Sequence, residues 1–207
     1  MTNYECANND DGILKIKFID KSSTDMYNFS EVDGMQSYDS LISDGTYFYG
    51  IATYGGVSNN GDIFKIKIAD NSFTSMHDFN GADGSQPQGP LISDGIYLYG
   101  MTTSGGANNG GNVFKIKIID NSFSSLYDFS EGDGRRPYGS LISDGTYLYG
   151  MTRSVGSNSK GSIFKLKIDD NSFTSMYDYS TVDEEDPSGP SIVDGTYIFG
   201  RTVLEVL

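Results

Sequence analysis

The chain has 207 residues, with 28 acidic against 14 basic side chains and a formal charge of −14. That length buries a real core in one domain, and that charge repels phosphate backbones and anionic membrane surfaces, which argues against nucleic-acid binding. Cys6 is the only cysteine, so no disulfide forms within the chain, and no apolar run approaches membrane-spanning length.

The chain opens on Met1-Thr2-Asn3-Tyr4-Glu5, which lacks the basic region and apolar run of a signal peptide. No basic neighbour activates Cys6, which reads as incidental. Residues 13–18 and 24–29 read as two strands. From there the sequence repeats every 50 residues without insertion: Leu41-Ile42-Ser43-Asp44-Gly45 returns at Leu91, at Leu141 and, as Ser191-Ile192-Val193-Asp194-Gly195, near the end. Residues 91–93 and 96–99 are expected to form a hairpin across Asp94-Gly95, with a type I′ turn. Alternation puts Leu91 and Leu98 on one face and Ile92, Tyr97 and Tyr99 on the other. A loop rich in glycine and asparagine, 104–111, precedes a third strand at 113–118. Asp120-Asn121 then turns the chain into a fourth strand at 123–129. No segment shows helical spacing.

Four short strands per unit predict an all-β fold, a β-propeller of four antiparallel strands per blade. The units are 1–50, 51–100, 101–150 and 151–200, with 201–207 completing the last. Blades pack face to face, which accounts for 15 tyrosines and 12 phenylalanines in a chain without tryptophan. Tyr47, Tyr49 and their counterparts are expected between blades. Met1-Thr2 and Arg201-Thr202 share the register of Met101-Thr102. The C-terminal segments should therefore supply the first two strands of a blade and the N-terminal segments the last two, sealing a four-bladed ring in one monomeric chain. Glu5-Cys6 and Glu205-Val206 replace the Gly105-Gly106 of the inner loops, as expected where that loop is cut at genuine termini. The alternative is half of an eight-bladed ring, completed in a homodimer.

Asp144 to Gly150 and Met101 to Gly139 carry the whole unit: Asp-Gly-Thr-Tyr-Leu-Tyr-Gly-Met-Thr, then Ser-Gly-Gly, Gly-Asn-Val-Phe-Lys, Leu-Tyr-Asp-Phe, Asp-Gly and Pro-Tyr-Gly. This resembles the GloVer-type tandem repeat, named from the Gloeobacter and Verrucomicrobia groups. The resemblance implies a propeller-like architecture and an extracellular or cell-surface location. It implies no activity and no functional residues.

Candidate chemistry is sparse. His77, the only histidine, stands where other units have Tyr27, Tyr127 and Tyr177, and reads as a substitute aromatic rather than a general base. One histidine and one cysteine are too few for a zinc site. Asp44, Asp94, Asp144 and Asp194 each precede glycine and read as turn residues. Asp33, Asp83, Asp133 and Asp183 lie in the connection to the next unit. No unit has the ligand pattern of a calcium loop, so turn formation is preferred for these too, and no metal or cofactor is expected. Lys65 and Lys67, repeated in every unit, should share a face with Thr74, Met76 and Asp78 and shield a sheet edge.

Recognition is expected on the face that carries the two longer loops, 105–111 and 131–140, where the units differ most. The candidate ligand-binding residues there are Asn108, Asn109, Asp133, Arg135, Arg136 and Tyr138, with Asp83 and Gln86 of the preceding unit. The expected function is a non-catalytic binding or scaffold module for a protein or other large partner. A lectin with one sugar site per blade is the alternative, and an enzyme with a central-channel site is the least supported.

Overall fold

The computed structural model describes residues 12–17, 19, 21–30, 33–34, 36–37, 39–154, 161–179, 192–193 and 198–199. Among them every regular element is a β-strand and every pairing is antiparallel. The first sheet pairs β1 (Gly12–Ile16) with β2 (Ser23–Asn28). The next runs β3 (Ile42–Ser43), β4 (Tyr47–Ala52), β5 (Asp62–Lys67) and β6 (Phe73–Asp78), side by side in chain order. The third holds β7 (Ser85–Pro87), β8 (Ile92–Ser93), β9 (Tyr97–Ser104), β10 (Asn112–Lys117) and β11 (Phe123–Asp128). The fourth repeats it with β12 (Arg135–Pro137), β13 (Ile142–Ser143), β14 (Tyr147–Ser154), β15 (Ser162–Lys167) and β16 (Phe173–Asp178). Finally β17 (Ile192–Val193) pairs with β18 (Ile198–Phe199). The expected contribution of the extreme termini to closure, Met1-Thr2 and Arg201-Thr202 included, lies outside the described residues.

The expected face alternation is present. Ile92 pairs with Tyr99 and Ser93 with Leu98, so Ile92 and Tyr99 share one face and Leu98 the other. The connecting turn differs from type I′. Gly45, Gly95 and Gly145 have positive φ (85°, 88° and 86°) while the aspartates before them do not, so glycine is the first central residue, the pattern of a type II′ turn. Each aspartate flanks the turn instead: Asp44 Oδ1 accepts the Thr46 and Tyr47 N–H groups at 2.7 Å, and Oδ2 accepts the Tyr49 hydroxyl. The Asp70-Asn71 type of turn is as expected, with Asn71, Asn121 and Asn171 at φ near 58°.

The lysine faces need two corrections. Lys65 does oppose Thr74, but a bulge leaves Met76 unpaired, so Asp78 pairs with Asp62 and leaves the lysine face. The strand that carries Lys65 and Lys67 is also interior to its sheet, between β4 and β6, so it shields no edge. Instead the Nζ atoms of Lys65, Lys115 and Lys165 lie 4.9–5.4 Å from the ring centres of Tyr47, Tyr97 and Tyr147.

The core fills the spaces between successive sheets. Tyr49 of one packs with Leu91, Leu98 and Phe114 of the next, and Tyr99 and Met101 pack with Leu141, Leu148 and Phe164. A second ladder joins the outer strands: Tyr27 stacks on Phe73 at 4.8 Å, His77 on Phe123 at 3.9 Å and Tyr127 on Phe173 at 4.3 Å. Gly50, Gly100 and Gly150 make room for this core, because a Cβ there would stand 2.5 Å from the ring of Phe64, Phe114 or Phe164.

Candidate binding hollow at the inner edge

The connection read as a loop contains a strand. Ser85 and Pro87 pair with Ser104 and Thr102, and Arg135 and Pro137 with Ser154 and Thr152. The inner-edge strand of the third and fourth sheets is therefore split, β7 and β8 both lying against β9 with residues 88–91 between them, and β12 and β13 against β14. Between the paired residues, Gln86 and Arg136 adopt φ of 54° and 55°, and Gln36 has φ of 59°. This left-handed conformation is unusual for an unbranched side chain and recurs at one place in three units. At Gln86 and Arg136 it is held by the preceding sheet: the Gln86 N–H donates to the Asn60 carbonyl at 2.8 Å and the Arg136 N–H to the Gly110 carbonyl at 3.0 Å. The two longer connections thus meet at one end of the molecule.

At this inner edge the third and fourth sheets close on each other. A Cβ on Gly89 would lie 2.0 Å from the Gly139 carbonyl oxygen, so only glycine lets these backbones approach. The Gly89 N–H donates to Asp39 Oδ2 at 2.9 Å. Burial raises the Asp39 carboxyl above the usual range, and that bond pulls it back.

Two hollows open beside this contact. One, of about 480 Å³, is lined by Gln86, Gln88 and Thr103 on one side and by Arg136, Tyr138 and Arg153 on the other. The second, of about 570 Å³, shares Gln88 and Tyr138 and adds Gln36, Asp39 and Thr53. The Arg153 guanidinium sits 5.0 Å from the Tyr138 ring centre. The Thr103 hydroxyl donates to the Gln86 carbonyl at 3.1 Å, and Thr53 likewise to Pro87, fixing the floor.

Of the sequence candidates, the structure brings Gln86, Arg136 and Tyr138 together in the first hollow. The others hold the scaffold. Asp83 accepts from the Asn80 N–H at 2.9 Å and lies 3.1 Å from His77 Nε2. Asp133 accepts the Ser130 hydroxyl at 2.6 Å and that of Tyr127, which it helps raise together with burial. The Asn108 amide donates to the Asp128 carbonyl at 3.2 Å, and Asn109 sits in a tight turn with φ of 54°. Arg135 pairs with Glu131 at 3.5 Å. Gln88, Thr103 and Arg153 were not legible as candidates, although Arg153 leaves a signal by breaking the series Thr53, Thr103.

His77 reproduces the role of the tyrosines at its register. It stacks parallel to Phe123, 4° from coplanar, and bonds Asp83 as Tyr27 bonds Asp33. Burial holds its pKa below the ordinary histidine value, against the pull of Asp83.

The Gloeobacter/Verrucomicrobia repeat matches residues 1–205. The chain belongs to that family. No curated protein sequence matches it significantly. Among solved structures it is similar to TolB from Acinetobacter baumannii, with 17% identity and a TM-score of 0.54 over 89% of this chain and 43% of that one. It is similar also to a putative TolB from Agrobacterium tumefaciens, with 14% identity, a TM-score of 0.54 and coverage of 87% and 62%. A chain of the nidogen/laminin complex aligns at 11% identity and a TM-score of 0.52, over 86% and 61%. At such identities these likenesses speak for a propeller-like fold alone. The chain spans less than two thirds of each neighbour's length.

Proposed function

We propose that the chain is a non-catalytic binding module that engages a protein partner through the inner-edge hollow, on a four-bladed ring sealed by β18 beside β1. The observation that carries this reading is where the units differ. Between sheets the same residue types recur at the same register, whereas the two adjoining hollows together are lined by Gln36, Gln86 and Arg136 in one series and by Thr53, Thr103 and Arg153 in another, with both arginines in the first. A repeated scaffold with unlike side chains at one spot suits a single asymmetric contact. The two-stranded sheets support the ring: β17–β18 corresponds to the first two strands of a blade and β1–β2 to the last two. The nidogen/laminin neighbour offers precedent for such a fold in a protein–protein complex.

A lectin with one site per blade would need the same cluster in each unit, and the hollow does not supply it. The test is binding of the full chain to a peptide array and a glycan array, with Tyr138→Gln as the control. Peptide binding lost in that variant is expected. Selective sugar binding lost in the same variant would replace this reading with the lectin.

A further inference from the structure

Both arginines of the hollow are departures from the repeat. Position 136 is glutamine in the two preceding units and position 153 is threonine, yet the two changes, 17 residues apart, bring two guanidinium groups to one depression. The chain has four arginines among 14 basic residues, and its formal charge is −14. Such an excess of negative charge keeps polyanions away at long range, while a local pair of cations accepts a ligand with one or two negative groups. The guanidinium is a planar fork with paired N–H donors that match a carboxylate. Arg153 is already oriented by the Tyr138 ring, 5.0 Å away, and Arg136 is exposed on a backbone turned by its positive φ. Gln86 and Gln88 beside them carry amide donors and acceptors of the kind that satisfy a peptide backbone.

We propose that this hollow binds a peptide segment bearing an aspartate or glutamate side chain, with Arg136 and Arg153 taking the carboxylate and Tyr138 packing against the adjoining residue. The inference rests on the binding role proposed above and names its ligand chemistry. A phosphorylated peptide offers a similar anion but twice the charge, which the field of the whole chain disfavours.

Fluorescence anisotropy on the full chain tests it, using a set of labelled dodecapeptides with one or two glutamates at varied positions and the same set with glutamine. Peptides that bind should do so about tenfold more tightly in the glutamate form. Arg136→Gln and Arg153→Thr, the residues that other units carry, should each abolish that preference. Arg135→Gln should leave it intact, because Arg135 faces Glu131 outside the hollow. Equal binding of the two sets, or an Arg135→Gln effect as large as that of Arg136→Gln, overturns the inference. If neutral peptides bind and Tyr138→Gln abolishes this, the binding role stands without the carboxylate. If no peptide of either set binds at millimolar concentration, both fail.

Discussion

The spaces between sheets and the inner edge of the same sheets follow opposite rules. Between sheets, Phe64, Phe114 and Phe164 are fully buried, each against the bare backbone of a glycine one strand away. Side-chain volume there is set by neighbours on both sides, and these three units carry the same ring. At the inner edge the backbone is just as constrained, with recurring positive φ and a carbonyl from the preceding sheet holding the N–H of Gln86 and of Arg136. The side chains, however, line the two hollows, and three units carry glutamine, glutamine and arginine. Energy of folding is concentrated in the first region and freedom to vary in the second.

The contrast is broken most strongly at Phe114. Replacing it by alanine removes a fully buried ring and should cost about 3–5 kcal/mol, read as a fall in the denaturant midpoint. The same truncation at Tyr138 should cost far less.

Asp62 is a break already present in the buried region. Asn112 and Ser162 stand at its register, and each donates from its side chain to a carbonyl of the preceding connection, Asp83 at 2.7 Å and Asp133 at 3.2 Å. Thr102 and Thr152 support them, where the Asp62 unit has Ala52. An ionised aspartate cannot donate. Asp62 is fully buried, one of its oxygens takes the Ser75 hydroxyl, and the other has no partner among the described residues. Burial, with Asp78 opposite, raises its pKa to about 8. In the unfolded chain the value is about 3.9. Between those limits the folded state holds a proton that the unfolded state has released. Stability should therefore fall by about 1.4 kcal/mol per pH unit from about pH 4 to about pH 8, and level off above. Asp62→Asn, which copies Asn112, should remove that slope in denaturation curves taken across the range. An unchanged slope would place the proton elsewhere.

A smaller effect is expected at His77. Tyrosine there restores the ring that two neighbouring units stack at this register and keeps a donor for Asp83. His77→Tyr should raise stability by about 1 kcal/mol, and more as the pH falls below the ordinary histidine value of about 6.5, where the unfolded chain takes up a proton that the half-buried ring resists. Smallest of all, Arg136→Gln should shift the melting midpoint by no more than about 0.5 kcal/mol in equivalent stability, since an exposed inner-edge side chain holds nothing together. A large loss there would mean that the hollow belongs to the scaffold.

These expectations rest on features that differ in how openly the sequence displays them. The 50-residue period, the strand alternation and the stacking place of His77 were legible, because repetition exposes a residue's role through its counterparts. The bulge at Met76 was not, since an extra residue in a strand leaves the apolar pattern almost intact. Nor was β12: Arg135-Arg136-Pro137 has the composition of a loop, and its pairing depends on a positive φ that nothing in an arginine announces. The hollow was half legible. Arg136, Tyr138 and Gln86 lie in the stretch that varies, whereas Arg153 reaches it from β14, a strand otherwise devoted to the core.

Closure of the ring is tested most directly by a cysteine pair. If β18 lies beside β1 as β9 lies beside β10, Ile198 faces Ile16 as Leu98 faces Ile116. In a Cys6→Ser background, Ile16→Cys with Ile198→Cys should form a disulfide within one chain on mild oxidation, at the molar mass of a monomer. A disulfide-linked dimer from the same pair would contradict the four-bladed ring and favour a ring completed by two chains.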